Sequence, residues 1–412
     1  MNKRNAFLKV ENLIGTILEI MVGISKPTEK FIMNLFPLLM SIRGRHNFSN
    51  LARYGPYGEQ TYRNQYEKGF DFLQFNSELT KRSCSDEVIN AFDPSYIPKS
   101  GKHTPNKGIF WSGVAQKAKP GLEIGCLALV DVKNNTAFPL ESISTPAPKQ
   151  LKLQNKTLVD HYVKELIARK SELESNSKYL AADGYFAKET FVTPLLKNTG
   201  LELISKLRND ANIKYIYQGK QKTGKGRKRE FAEKVNLKKI DKRRFSLCHE
   251  DEEVKVYECI VQSVILKRKI KVVYLEQQKN GKATGQYAVL FSTDLELEGH
   301  KIYLYYKSRF QIEFLIRDAK QYTGLEHCQA RSENKLNFHF NTSLTTIGIA
   351  KAAFYLSVPK EEREAFSMND IKMMYFNRLM TDSIFSKLEI DLSCKKYKRI
   401  YNECLQFGRW AA

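Results

Sequence analysis

Tyr306, Arg309, Glu313 and Lys320 combine residue types and a spacing that suit phosphate chemistry. At about 100° per residue on a helix, their offsets of 0, 3, 7 and 14 place all four within about 60° of one another, a polar stripe of mixed charge. Tyr305, Ile312, Leu315, Ile316 and Ala319 supply an apolar flank, so the segment is expected to be one amphipathic helix packed on a core. Glu313 would then face outward among cations, where a carboxylate can hold a metal ion beside a phosphate. A lysine-rich surface helix without function shows the same stripe, so the elements that position it must decide.

Two further acids stand at strand ends. Residues 88–93 form a short strand that closes on Asp93 and then Pro94; residues 179–183 form a short buried strand that closes on Asp183 and then Gly184. Between them, residues 125–133 and 136–143 flank an Asn134-Asn135 turn as an antiparallel hairpin, and residues 157–173 carry Leu158, Tyr162, Leu166, Ile167 and Leu173 along one helical face. Residues 201–207 make another strand. Asp131, in the middle of the hairpin, is expected to face solvent and is a distant alternative to Asp93.

The chain is α/β in class and divides into a helical region over 1–85, core segments over 86–208 and 300–356, a β-rich basic insertion over 209–299, and a helical end over 357–412. In the first region, Pro27 starts a helix bearing Phe31, Ile32, Leu35, Phe36 and Leu39, and two short helices around the breaker Gly55-Pro-Tyr-Gly58 are compatible with helix-turn-helix. On the second of these, Arg63 and Asn64, with Thr61 and Gln65, have side chains suited to base edges or phosphates. An ordinary helical hairpin has the same pattern. The insertion opens on a basic loop, residues 220–229, in which Lys225, Arg227, Lys228 and Arg229 are candidate DNA contacts, and continues in strand-like runs with a turn signal at residues 279–282.

Composition narrows the partner. With 67 Lys and Arg against 45 Asp and Glu, the net charge of +22 favours a polyanion, nucleic acid first. Glu19 interrupts the best apolar run, residues 13–24, and Glu11 precedes it, so no membrane partner is expected and the protein should be cytoplasmic. Seven scattered cysteines without a C-x-x-C pair indicate neither a zinc knuckle nor a disulfide framework and point to reduced thiols in the core. Residues 99–104 hint at a phosphate loop, but Tyr96 stands where the first glycine of Walker A would fall, leaving Lys99 and Lys102 as candidate phosphate contacts.

The motif Tyr306-(2)-Arg309-(3)-Glu313-(6)-Lys320, with Asp93 in Phe-Asp-Pro-Ser-Tyr-Ile and Asp183 in Ala-Asp-Gly-Tyr-Phe, resembles the DDE transposases of the insertion sequence 4 family over about residues 45–355. The order of strands, helix and strand is likewise similar to a ribonuclease H-like sheet interrupted by a β-rich insertion. The resemblance implies that Asp93, Asp183 and Glu313 are the catalytic metal ligands, holding two Mg²⁺ or Mn²⁺ ions. It implies that Tyr306, Arg309 and Lys320 grip the transposon-end backbone, with Arg317 on the same segment also on DNA. The implied partners are double-stranded DNA, as terminal inverted repeats and target, and a second copy in a homodimeric synaptic complex on a bacterial nucleoid. Trp111 and Trp410 lie outside the insertion, so Tyr215, Tyr217, Phe231 or Tyr257 would stack a flipped base. A silent transposase-derived DNA-binding protein and a ribonuclease H-like nuclease or resolvase are the alternatives.

Overall fold

Among the described residues five helices precede the first strand: α1 (Arg4–Ile20), α2 (Lys26–Ser41), α3 (Phe48–Tyr54), α4 (Glu59–Glu67) and α5 (Phe72–Ser83). The computed structural model describes residues 4–221, 228–279, 281–363 and 365–408, so Lys225, Arg227 and Trp410 lie outside the described residues. Local chemistry starts the helices. Pro27 sits in the first turn of α2, and the side chains of Asn47 and Asp71 each accept a backbone N–H at the start of α3 and α5, 2.9 Å in both cases.

Among the described residues twelve strands follow in one sheet: β1 (Val88–Pro98), β2 (Gly108–Ser112), β3 (Lys117–Asp131), β4 (Thr136–Ser144), β5 (Tyr179–Ala182), β6 (Glu202–Lys206), β7 (Ile213–Ile216), β8 (Phe231–Lys234), β9 (Ser246–Glu250), β10 (Val254–Ser263), β11 (Arg268–Lys279) and β12 (Lys282–Ser292). β4, β3, β1, β5 and β6 are neighbours in that order. β1–β3 and β3–β4 are antiparallel, whereas β1–β5 and β5–β6 are parallel. The parallel crossovers carry helices: α6 (Pro148–Leu153), α7 (Leu158–Ala168) and α8 (Lys170–Asn176) before β5, and α9 (Glu189–Asn198) before β6. The helix anticipated over 157–173 is broken at Arg169, whose guanidinium turns to Glu141 and Glu165. β12 pairs antiparallel with β6, through Phe291 opposite Ser205, so the strands of the 209–299 segment continue the same sheet.

Alternation along the strands builds two cores. Ala91, Ala128, Ala181 and Ile204 belong to one, with the N-terminal helices and with α10 (Gly299–Ser308), α11 (Gln311–Tyr322) and α12 (Glu333–Ser357). Phe92, Leu127, Ala182 and Leu203 belong to the other, with α7 and α9. α12 is buried along most of its length and packs on β4, α5 and α1, which binds the N-terminal helices to the sheet. α13 (Met368–Lys387) packs on α2, and α14 (Lys395–Gln406) packs on α13.

Some expectations change. Cys126 and Cys328 are buried, but Cys248 and Cys394 are exposed rather than core thiols. Among the described residues no helix is long and apolar enough to cross a membrane. Asp131 does not face solvent: it is 0% exposed and accepts from Ser85 N at 2.8 Å, Ser85 Oγ at 2.6 Å, Asn134 N at 3.0 Å and Asn134 Nδ2 at 2.7 Å. It clamps the segment entering β1 to the β3–β4 turn. Asp131→Ala leaves several half-buried donors without their acceptor and should therefore cost roughly 2 kcal/mol in a denaturant titration. A change within about 0.5 kcal/mol, the range of an ordinary surface substitution, would contradict this role.

Candidate active site

The parallel ladder between β1 and β5 ends on the pair Phe92 and Ala182, so Asp93 and Asp183 are the next residues on adjacent chains. Ala91 and Ala181 face the core that contains α11, and alternation turns Asp93 and Asp183 to that same face. β1 does not stop at Asp93. It runs on to Pro98 against β3, with Asp93 opposite Cys126, so this acid is held by backbone pairing on its far side. Asp183 instead leaves its strand and precedes a single 3₁₀ turn, Gly184–Phe186. A Cβ on Gly184 would lie 2.9 Å from the Lys206 carbonyl oxygen, so glycine lets this turn approach β6.

Glu313 arrives from the same face, but not on one continuous helix. α10 ends at Ser308 and α11 begins at Gln311; Arg309 and Phe310 form a tight junction in which Ile312 N bonds Arg309 O and Glu313 N bonds Phe310 O, both at 3.0 Å. Phe310 projects into solvent, 49% exposed, while Arg309 turns inward and is 8% exposed. Its Nη2 donates to Glu313 Oε1 at 2.9 Å and its Nη1 lies 3.4 Å from Asp93 Oδ1. The ring of Tyr306 lies under the guanidinium, 5.5 Å from it. Burial opposes the charge on Arg309, but the attraction of Asp93, Tyr306 and Glu313 outweighs it and raises its pKa.

The acids strain against one another. Burial pushes the Asp93 carboxyl up to about 7; Arg309 pulls it down, and the charges of Glu313, Asp183 and Glu123 push it up again. Glu123, on β3, is a fourth carboxyl of this cleft that the sequence pattern did not single out. Burial raises its pKa, and it accepts the Tyr162 hydroxyl at 2.8 Å. Among the described residues no three His, Cys, Asp or Glu side chains are gathered closely enough to hold a metal ion. The group between Asp93 and Glu313 is the guanidinium of Arg309.

A cleft of about 790 Å³ opens over these acids, lined by Asp93, Glu123, Asp183, Tyr185, Trp111 and Lys320 among others. Lys320 does not stand free: its Nζ donates to Tyr96 O at 2.8 Å and pairs with Glu326 at 3.0 Å. Arg317 is half-exposed, paired with Asp318 and stacked on Phe314 at 4.6 Å. Trp111, on β2, is 60% exposed at the rim. Tyr215 and Tyr257 are buried, and neither they nor Tyr217 and Phe231 line this cleft.

The other expected DNA contacts are dispersed. Lys99 donates to Cys328 O, and Lys102 is exposed nearby. Lys228 and Arg229 are exposed, with Arg229 stacked on Tyr217 at 4.7 Å. Arg63 is paired with Glu59, and Asn64 accepts from Gln60 at 2.8 Å on the exposed side of α4.

Residues 154–347 match the model of the Transposase DDE domain. That segment contains Asp183, the α10–α11 junction and Glu313, while Asp93 lies before it. The similarity supports a transposase function with DNA as its partner. Transposase DDE domains generally use divalent metal ions, and the all-carboxylate donor set here is of the oxygen type such ions require. Among curated proteins none matches the chain.

Arg309 and Asp93 give a pH test of this geometry. The folded pKa of Asp93, about 7, lies above its ordinary 3.8, so its contribution to stability is fully present below about 3.8 and is lost as the pH rises through about 7. Arg309→Ala removes the cation that holds the Asp93 pKa down, which raises that pKa further. In metal-free buffer the variant's loss of melting temperature should therefore be larger at pH 8.5 than at pH 5. An equal loss at both pH values would show that Arg309 does not neutralise Asp93.

Proposed function

We propose that this chain is a DDE transposase that cuts and rejoins DNA at the ends of an insertion sequence, of the insertion sequence 4 type, with Asp93, Asp183 and Glu313 as its catalytic carboxylates. The register that sets Asp93 and Asp183 on adjacent parallel chains, facing the helix that bears Glu313, carries this reading. The strand order β4-β3-β1-β5-β6, with its antiparallel and parallel pairs, supports a ribonuclease H-like core in two parts, 86–208 and 300–356. The 209–299 segment then acts as a basic β-rich insertion, and α3 and α4 as a helix-turn-helix within 1–85.

The three carboxylates would hold Mg²⁺ or Mn²⁺, two ions per site. When bound, these ions supply charge stabilisation at the phosphate and a more acidic attacking oxygen. The protein's own groups do the positioning. Asp93, fixed by pairing on β1, sets one wall of the site, and Asp183, just before the 3₁₀ turn, sets the other. Arg309 keeps Asp93 and Glu313 neutralised in the free protein; when phosphate enters, its planar donors suit bidentate contact with the scissile strand. Lys320 supplies a point charge from the far side of the cleft, anchored through Tyr96. Trp111, more exposed than Tyr185 across the same cleft, takes the stacking role expected of the insertion's aromatics. Cut-and-paste movement requires two ends, which favours a homodimer in the synaptic complex.

A plasmid carrying the DNA that flanks the coding region tests this reading. Strand cleavage should require Mg²⁺ or Mn²⁺, fail with Ca²⁺, and be abolished by Asp93→Asn, Asp183→Asn or Glu313→Gln while DNA binding survives. Arg309→Ala and Lys320→Ala should each lose at least about tenfold, because small misplacement of reacting atoms is costly. Cleavage by Asp183→Asn at the wild-type rate would overturn the assignment.

A further inference from the structure

Two more clefts continue from the one over the acids. The first, about 440 Å³, shares Pro98 and Glu326 with the acidic cleft and is lined by Arg45, Lys99 and Arg331. The next, about 700 Å³, shares Gln329 and Arg331 with the first and reaches Arg63 on α4 and Lys335 on α12. The three openings therefore adjoin one another in a row from Asp93 and Asp183 to the N-terminal helices. The segment between α11 and α12 lines both of the added clefts.

The charge on this path is only partly neutralised. Among the described residues Glu326 is the one acid lining the two added clefts, and it is paired with Lys320 at 3.0 Å. Arg63 and Lys335 have Glu59 and Glu67 as partners. Arg45 and Arg331 are exposed and make no ion pair among the described residues. Lys99 is half-buried beside them, its ammonium on Cys328 O, and burial and then the charge of Arg331 lower its pKa. Like charges gathered without counter-ions repel in the free protein, and a polyanion relieves that repulsion. Planar guanidiniums at two successive points suit phosphodiester oxygens more than a single small anion.

We propose that Arg45 and Arg331 bind successive phosphates of the DNA strand that enters the acidic cleft, guiding it from the catalytic carboxylates towards α4. This rests on the transposase reading and adds to it a strand path. Neither arginine belongs to the carboxylate site, and both are exposed, so Arg45→Gln/Arg331→Gln should fold normally.

The test is the salt dependence of binding to a fluorescently labelled duplex of the flanking DNA, using the full chain. The control is Lys170→Gln/Lys197→Gln, which removes equal charge from exposed positions on α8 and α9. The slope of log affinity against log salt should fall by about 1.8 in the arginine variant, about 0.9 for each lost phosphate contact, and remain near wild type in the control. If wild type binds with a steep slope and the arginine variant matches the control, the path is wrong while the transposase reading stands. If wild type shows no salt-dependent binding to DNA, both fall. Circular dichroism melting checks the fold, and the single variant Arg331→Gln, with an expected loss of about 0.9, decides the matter if the double variant melts early.

Discussion

The buried guanidinium of Arg309 between Asp93 and Glu313 is the interaction on which the rest of the site depends. Opposite charges about 4 Å apart attract by roughly 4 kcal/mol at an effective dielectric of about 20, and desolvating each ion costs several kcal/mol in return. The net gain is thus small, whereas removing the cation is costly because it leaves a buried carboxylate uncompensated. The two contacts are unequal. Glu313 is 40% exposed and its contact is screened by solvent, while Asp93 is 21% exposed and its contact with Arg309 is the sheltered one. A cation thereby belongs to the architecture before any substrate arrives, and a bound metal ion would have to take over its charge.

Backbone features aim these groups. The β1–β5 register makes Asp93 and Asp183 neighbours, and the continuation of β1 to Pro98 keeps Asp93 from following the chain into a loop. The absence of a Cβ at Gly184 allows the turn after Asp183 to fold against β6. On the opposing layer, the tight α10–α11 junction sends Phe310 outward and Arg309 inward, one turn before Glu313. The buried α12 fastens this layer to the N-terminal helices, so the candidate DNA-reading helices and the acids share one hydrophobic core. A strand that touches both can be held at a fixed distance from the chemistry.

Much of this site was legible in the sequence because strand ends and helical periodicity are local. Asp183 is marked by its buried strand and following glycine, and Glu313 by its stripe. The orientation of Arg309 was not legible: no Gly or Pro signals the break at residues 309–310, so a continuous helix placed its guanidinium outside. Glu123 escaped because its role comes from the cross-strand neighbourhood of β1, and Asp131 because its burial depends on Ser85, far away in the chain. Register is likewise nonlocal. The strand runs of the 209–299 segment were visible, but their hydrogen bonding onto β6 through β12 was not.

The most direct measurement is anomalous diffraction at the manganese edge from crystals of the protein soaked in Mn²⁺. The account predicts a peak between Asp93 and Asp183, with the Arg309 guanidinium withdrawn from its place against Asp93. A structure with no peak at these carboxylates under saturating Mn²⁺, and Arg309 still bridging Asp93 and Glu313, would contradict it.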